Sequence, residues 1–236
     1  ALDADEQLAV LEAVLDAAKG WPVVMGVPGN HLGRATAWVQ RLAAYPLAGL
    51  LVSAPPYIRP SQTGLLTWFN TLADAAHAPL VLYDIPYRTG AHIDTHTLLT
   101  LAEHPNIQAI KDCGGDMAKT QALVAQGRLQ VLAGDEASLL PTLAMGGAGA
   151  ILAAAHLATE RFVQLVSAAA HGRVDEAHAL WRTLRPLVDG VYTEPNPAAL
   201  KWALAEQGLI RNVLRAPMTR LSTAGEIALA GVLSRP

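Results

Sequence analysis

This sequence predicts an α/β fold, a barrel of parallel strands joined by helical crossovers and continued by a helical C-terminal extension. Three observations lead there. Short, almost wholly apolar runs alternate with helical periodicity as far as residue 153. Runs that rarely alternate in polarity fit parallel strands buried on both faces. Polar residues able to do chemistry gather where those runs end, which is where a barrel places them. Beyond residue 153 the strand-like runs stop, and helical periodicity alone remains.

In chain order, helical spacing over 5–18 leads into the apolar run 22–26, and a second helix over 34–44 leads into 49–53. The cycle repeats with strands expected at 80–85, 107–111, 129–134 and 149–153. Helices are expected between them at 62–76, 95–103, 119–126 and 137–145. The remainder reads as helices at 156–170, 174–189, 197–206 and 223–233. A doubly wound dinucleotide fold would want G-x-G-x-x-G after its first strand. The first strand is followed instead by Gly26-Val27-Pro28-Gly29-Asn30, which favours the barrel. No linker, low-complexity tract or fixed-period repeat interrupts the chain. The expected division is a barrel portion over 1–155, then the last barrel helix and a helical extension over 156–236.

Composition narrows the function classes. With 236 residues, 52% hydrophobic and 16% charged, the chain can bury a sizeable core. A formal charge of −3 leaves no electrostatic footprint for nucleic acid or an anionic membrane. No apolar stretch approaches the roughly 20 residues that span a bilayer, and no basic segment followed by an apolar one opens the sequence. Cys113 is the lone cysteine, so no internal disulfide can form, and a reducing cytoplasm is the expected setting.

Four side chains stand out as candidates for chemistry. Lys111 closes the run Ile107-Gln108-Ala109-Ile110; an amine desolvated at a barrel mouth loses protons more readily and can attack a ketone. A lysine that merely snorkels at a sheet rim is the plainer alternative. Tyr83, inside Leu80-Val81-Leu82-Tyr83-Asp84-Ile85, carries a hydroxyl that could relay protons during carbinolamine formation and dehydration, or could be a satisfied core aromatic. Arg88, in the turn Pro86-Tyr87-Arg88-Thr89-Gly90, could clamp a carboxylate through two parallel hydrogen bonds, or form a surface salt bridge. Tyr57 lies in the stiff loop Pro55-Pro56-Tyr57-Ile58-Arg59-Pro60, suited to holding a side chain at a fixed place or at a subunit contact.

Ordered motifs carry a resemblance across essentially the whole chain. Tyr57-Ile58-Arg59-Pro60-Ser61-Gln62-x-Gly64, Leu82-Tyr83-Asp84-Ile85-Pro86-x-Arg88-Thr89-Gly90 and Ala109-Ile110-Lys111-Asp112 follow one another in register. Gly134-Asp135-Glu136, Gly146-Gly147-x-Gly149 and Glu194-Pro195-Asn196-Pro197 with Lys201-Trp202 continue the series. Together they resemble the dihydrodipicolinate synthase and N-acetylneuraminate lyase superfamily of lysine-dependent pyruvate aldolases. The resemblance implies a TIM (β/α)8-type barrel in which Lys111 forms an imine with pyruvate and Tyr83 works as general acid and base. It further implies that Tyr57 extends a proton relay across a subunit interface, that Arg88 contacts the second substrate's carboxylate, and that the backbone near Gly134 and Ile151 lines the pyruvate pocket. The implied reaction condenses pyruvate with aspartate semialdehyde in lysine and diaminopimelate synthesis, without a cofactor or metal, in a homotetramer built as a dimer of dimers.

Departures from the pattern set further expectations. Only six strands are readable, and they correspond to strands three to eight of such a barrel. Two leading βα units, with the family's Gly-Thr-Thr-Gly-Glu loop, are therefore expected to be missing. Pro56 stands where the family's lysine-feedback site uses an aromatic residue, so lysine inhibition is expected to be weak or absent; inhibition at low lysine concentration would contradict this. Asp112-Cys113-Gly114 replaces the more familiar acid-Ala-Thr, with Cys113 expected as a small buried side chain. His92 and His96 are four apart, a spacing that shares a helical face, but without the glutamate of H-E-x-x-H they read as surface side chains. Another pyruvate-dependent aldolase, a 2-keto-sugar-acid lyase, and an inactive truncated paralogue stay open as alternatives.

Overall fold

The computed structural model of the chain describes residues 1–234. The last two residues of the expected segment 156–236, Arg235 and Pro236, lie outside the described residues. The chain divides into two compact units: Leu2–Gly134 with Met145–Ile151, and residue 1 with Asp135–Ala144 and Leu152 onward.

The first unit is built on a six-stranded parallel sheet whose strands neighbour one another in chain order. These are β1 (Val24–Val27), β2 (Gly49–Ser53), β3 (Leu80–Asp84), β4 (Ile107–Asp112), β5 (Gln130–Ala133) and β6 (Gly149–Ala150). Its six strands are those readable in the sequence, and among the described residues the sheet is open, without the closure of the (β/α)8 barrel that the resemblance implies. Closure requires two hydrogen-bonded neighbours for every strand. Among the described residues β1 pairs with β2 alone, and β6 meets only β5, at two positions.

Helices α1 (Ala4–Ala18), α2 (Leu32–Leu42), α3 (Gln62–Ala75), α5 (Thr95–Leu101) and α6 (Met117–Gln126) accompany the strands, with a single turn α4 (Pro86–Thr89) after β3. Their starts are chemically marked. Asp3 and Glu6 form a reciprocal capping box on α1. Ser61 caps α3, and the Asp116 carboxylate accepts the amides of Ala118 and Lys119 at 2.9 and 3.2 Å to begin α6. Inward residues of these helices, such as Leu42, Leu65, Phe69, Leu98 and Leu123, pack with Leu50, Leu82, Ile110 and Val131 of the strands in one buried cluster. Fully burying a side chain of this size contributes about 1.5–3 kcal/mol.

Several boundaries differ from the sequence expectation, and three of the differences have a plain physical reason. The first strand starts at Val24 rather than residue 22, since Pro22 has no amide to give to a ladder. The strand expected over 149–153 holds only Gly149–Ala150 and gives way to a 3-10 turn at Ala154–His156, in a stretch of alanines with little strand preference. The segment expected as a turn at 86–90 is a helical turn, begun by Pro86 and ended by Gly90 in the left-handed region at φ 75°.

The second unit is helical: α7 (Leu139–Ala144), α8 (Thr159–Ala170), α9 (Val174–Val191), α10 (Ala198–Glu206) and α11 (Thr223–Leu233). Ala199, Trp202, Ala203, Leu221 and Leu229 form one of its buried clusters. Among the described residues no helix is long and apolar enough to cross a membrane.

Candidate active site

The ends of β3 and β4 define the site. Successive strand residues point to opposite faces, and the register pairs Tyr83 with Lys111 and Asp84 with Asp112. Two different chemistries therefore occupy the two faces of the same strand ends. On one face the half-buried Lys111 and Tyr83 meet, with Lys111 Nζ 4.3 Å from the centroid of the Tyr83 ring. A cation over an aromatic face is held by the ring quadrupole, with about 0.5–1 kcal/mol at a solvated site.

Burial pushes the Tyr83 phenol well above its ordinary value of 10.0. The neighbouring Cys113 and Tyr87 add to the shift, and the Arg88 guanidinium opposes it. The hydroxyl therefore stays protonated through neutral pH. An amine beside such a hydroxyl can add to a carbonyl carbon while the phenol hands a proton to the oxygen that leaves.

The remaining predicted residues fall around this pair. Arg88 is exposed on α4, its guanidinium 5.5 Å from the centroid of the Tyr87 ring. Its turn is pinned by the buried Thr89 hydroxyl, which bonds the carbonyls of Ile85 and Ala91, each at 3.1 Å. Tyr57 has a φ of 75° and is 89% exposed, so its side chain projects outward instead of joining Tyr83. Its backbone amide nonetheless donates to Thr89 O at 2.9 Å, tying the loop after β2 to the turn after β3. Gly134 follows β5 and donates its amide to Asp112 O at 2.8 Å. A Cβ at this position would strike Cys113 Sγ and come within 2.9 Å of the Asp112 carbonyl oxygen, so the close approach requires glycine. Ile151 donates to Ala133 O at 2.9 Å, just past β6.

His92 precedes α5, so it does not share a helical face with His96 as their spacing had predicted; both are exposed. Among the described residues, no group of three or more His, Cys, Asp or Glu side chains is arranged to hold a metal ion.

Sequence reasoning passed over what lies on the opposite face. Asp84 and Asp112 are buried there and converge on the ammonium of Lys119, from the first turn of α6. Lys119 Nζ donates to Asp84 Oδ2 and, at 2.8 Å, to Asp112 Oδ1. The Thr120 hydroxyl donates to Asp112 Oδ2 at 3.2 Å, and the Gly114 amide to Asp112 Oδ1 at 2.8 Å. Burial raises the Asp84 carboxyl despite the lysine beside it. For Lys119, burial works to lower the pKa, yet the two carboxylates outweigh it and hold the group above its ordinary value. A signal was present: an aspartate at a buried parity position of an apolar strand demands a cation from the adjoining helix.

Comparison with known proteins places this geometry in context. The family model described as the dihydrodipicolinate synthetase family matches residues 1–235. The match begins at residue 1 and gives no support to the expectation that two leading βα units are missing. The 4-hydroxy-tetrahydrodipicolinate synthase of Haloarcula marismortui is 38% identical over 224 residues, covering 94% of this chain and 73% of that protein. The crystal structure of dihydrodipicolinate synthase from Aquifex aeolicus superposes with a TM-score of 0.95 at 30% identity, over 98% of this chain and 80% of the other. A similar match, with a TM-score of 0.95 and 29% identity over 98% and 81% of the two chains, is to the Acinetobacter baumannii dihydrodipicolinate synthase complexed with pyruvate.

Proposed function

Since this chain belongs to the dihydrodipicolinate synthetase family, we propose that it is a Schiff-base-forming synthase. In this reading it condenses pyruvate with aspartate semialdehyde to give 4-hydroxy-tetrahydrodipicolinate, on the route to lysine and diaminopimelate. The observation that carries the reading is the pairing of Lys111 with Tyr83 at adjacent strand ends, the amine 4.3 Å from the ring centroid.

The Lys111 amine adds to C2 of pyruvate, and Tyr83 supplies the proton with which the former ketone oxygen departs as water. The resulting imine draws electrons from the adjacent methyl carbon, which loses a proton and becomes the nucleophile toward the aldehyde of the second substrate. Attack on the imine carbon by that substrate's own amine closes the ring and frees Lys111. Arg88 receives the second substrate's carboxylate; its exposed position beside the strand ends supports that role. The amide region at Gly134 and the backbone at Ile151 form the wall of the pyruvate pocket. Tyr57, outward-facing at a positive φ, serves at a subunit contact in a homotetramer assembled as a dimer of dimers.

The sheet is assigned to a barrel of the TIM (β/α)8 type, with the barrel portion ending near residue 155; the structural likeness to the Aquifex enzyme supports this. A reducing cytoplasm fits the single, buried Cys113. The test is chemical trapping. The purified chain is incubated with pyruvate, reduced with borohydride and weighed intact beside Lys111→Ala. A pyruvyl adduct on the parent alone is expected; no adduct on the folded parent would remove the enzyme reading.

A further inference from the structure

The reactive pair and the buried charges behind it are made by two adjacent dipeptides, Tyr83-Asp84 and Lys111-Asp112, held side by side in the ladder. We propose that Lys119 is a positioning residue, whose grip on both aspartates behind the sheet fixes the separation of Tyr83 and Lys111 in front of it. The inference rests on the imine-forming role given above to Lys111.

The first support is burial. Asp84 is 0% exposed, Asp112 6% and Lys119 4%, so two carboxylates and one ammonium are withdrawn from water together. As a device for stability this is poor, because apolar side chains of the same volume commonly serve as well or better. An ion cluster supplies what apolar packing does not, namely direction and distance. A single ammonium can satisfy Asp84 Oδ2 and Asp112 Oδ1 together only when the ends of β3 and β4 stand in one register and at one spacing.

The second support is connectivity. Asp112 has every side-chain bond directed into this junction: Lys119 and Gly114 at Oδ1, Thr120 at Oδ2. The backbones of the same aspartates continue the lock, since Asp84 O accepts the Cys113 amide and Asp112 O the Gly134 amide, both at 2.8 Å. Asp116 in turn fixes the first turn of α6, from which Lys119 reaches, by accepting the Lys119 amide itself. A chain of short, directed contacts thus runs from the helix start to the residues that immediately follow Tyr83 and Lys111.

Lys119→Met alone would leave two buried carboxylates side by side, so the informative variants are Lys119→Met with Asp84→Asn, which removes one charge of each sign, and Thr120→Val, which cuts one tie at constant shape. With the melting temperature close to the parent's, borohydride trapping of pyruvate on Lys111 is expected to slow about 10- to 100-fold in the double variant, the scale set by displacements of about 1 Å between reacting groups. Thr120→Val is expected to slow it about two- to five-fold, since it leaves the ammonium bridge in place. In both, kcat should fall while KM for each substrate holds. A folded double variant that traps pyruvate at the parent's rate would overturn the proposal. If the double variant does not fold, Thr120→Val decides: trapping at the parent's rate overturns it. If the parent itself traps no pyruvate, the enzyme reading fails separately, and the rate of reductive methylation of Lys111, read by peptide mass, judges the clamp. A changed rate in the variants then sustains it, and an unchanged rate overturns it.

Discussion

Lys111 Nζ faces the Tyr83 ring at 4.3 Å from its centroid, across one step of a parallel ladder. In the proposed reading the ring and its hydroxyl do separable things for the amine: the ring face seats a cation, and the hydroxyl carries a proton. Tyr83→Phe keeps the seat and loses the proton, so kcat is expected to fall by about 10²–10⁴ while methylation of Lys111 proceeds at nearly the parent's rate. Tyr83→Leu should disturb both. Steady-state kinetics with peptide mapping checks this, and an undiminished kcat in Tyr83→Phe would release the phenol from its role.

Alkaline pH should reveal the buried protons. Both Tyr83 and Lys119 are held above their ordinary values of 10.0 and 10.5. An unfolded chain releases these protons first, so above pH about 10 the folded state binds more of them and stability falls as pH rises. Stability from this source is complete at neutral pH and is lost as pH climbs through the folded-state values. Thermal melts from neutral pH to about 11 should show a steeper loss in the parent than in the Lys119→Met, Asp84→Asn double variant. Equal slopes would count against the lysine's contribution.

Gly134→Ala would drive a methyl group into Cys113 Sγ and to 2.9 Å from the Asp112 carbonyl oxygen. Overpacking of this kind costs about 1–3 kcal/mol, and each kcal/mol lowers Tm by about 2–4 °C in a chain of this size. Adding Cys113→Ala should restore only part of the loss, because the carbonyl stays where it is. Complete rescue in a calorimetric scan would show that the sulfur alone sets the fit.

In the proposed reading Arg88 acts on the second substrate and not on pyruvate. Arg88→Ala is therefore expected to raise KM for aspartate semialdehyde roughly 10- to 100-fold, as loss of a charge-assisted hydrogen bond does. Borohydride trapping of pyruvate should be unchanged. A variant that fails to trap pyruvate would place the guanidinium nearer the imine than this reading allows.

Much of the scaffold was legible because the signals were local. The run Gly49–Ser53 and the helix Thr223–Leu233 occur where apolar spacing put them, each bounded by a turn or a capping serine. Tyr83 and Lys111 were candidates by their place at strand ends, and it was the ordered series of motifs around them that favoured a site over a core aromatic and a rim lysine. What stayed hidden depended on contacts between distant segments. Lys119 reads as one more cation on an amphipathic helix until the fold brings Asp84, 35 residues earlier, against it. The outward pose of Tyr57 follows from a positive φ that nothing in Pro55-Pro56-Tyr57 announces.

The alternation of Lys111 with Asp112 sets a rule for changes of chain length. Removing or adding one residue within Ile107–Asp112 would turn the carboxylate toward Tyr83 and the amine toward the helices, exchanging the two chemistries instead of weakening either. A two-residue change would restore the faces but carry the amine one ladder repeat away from the phenol. The loop between α5 and β4 is free of that parity, so length variation among descendants of this chain should collect there and leave the strand untouched.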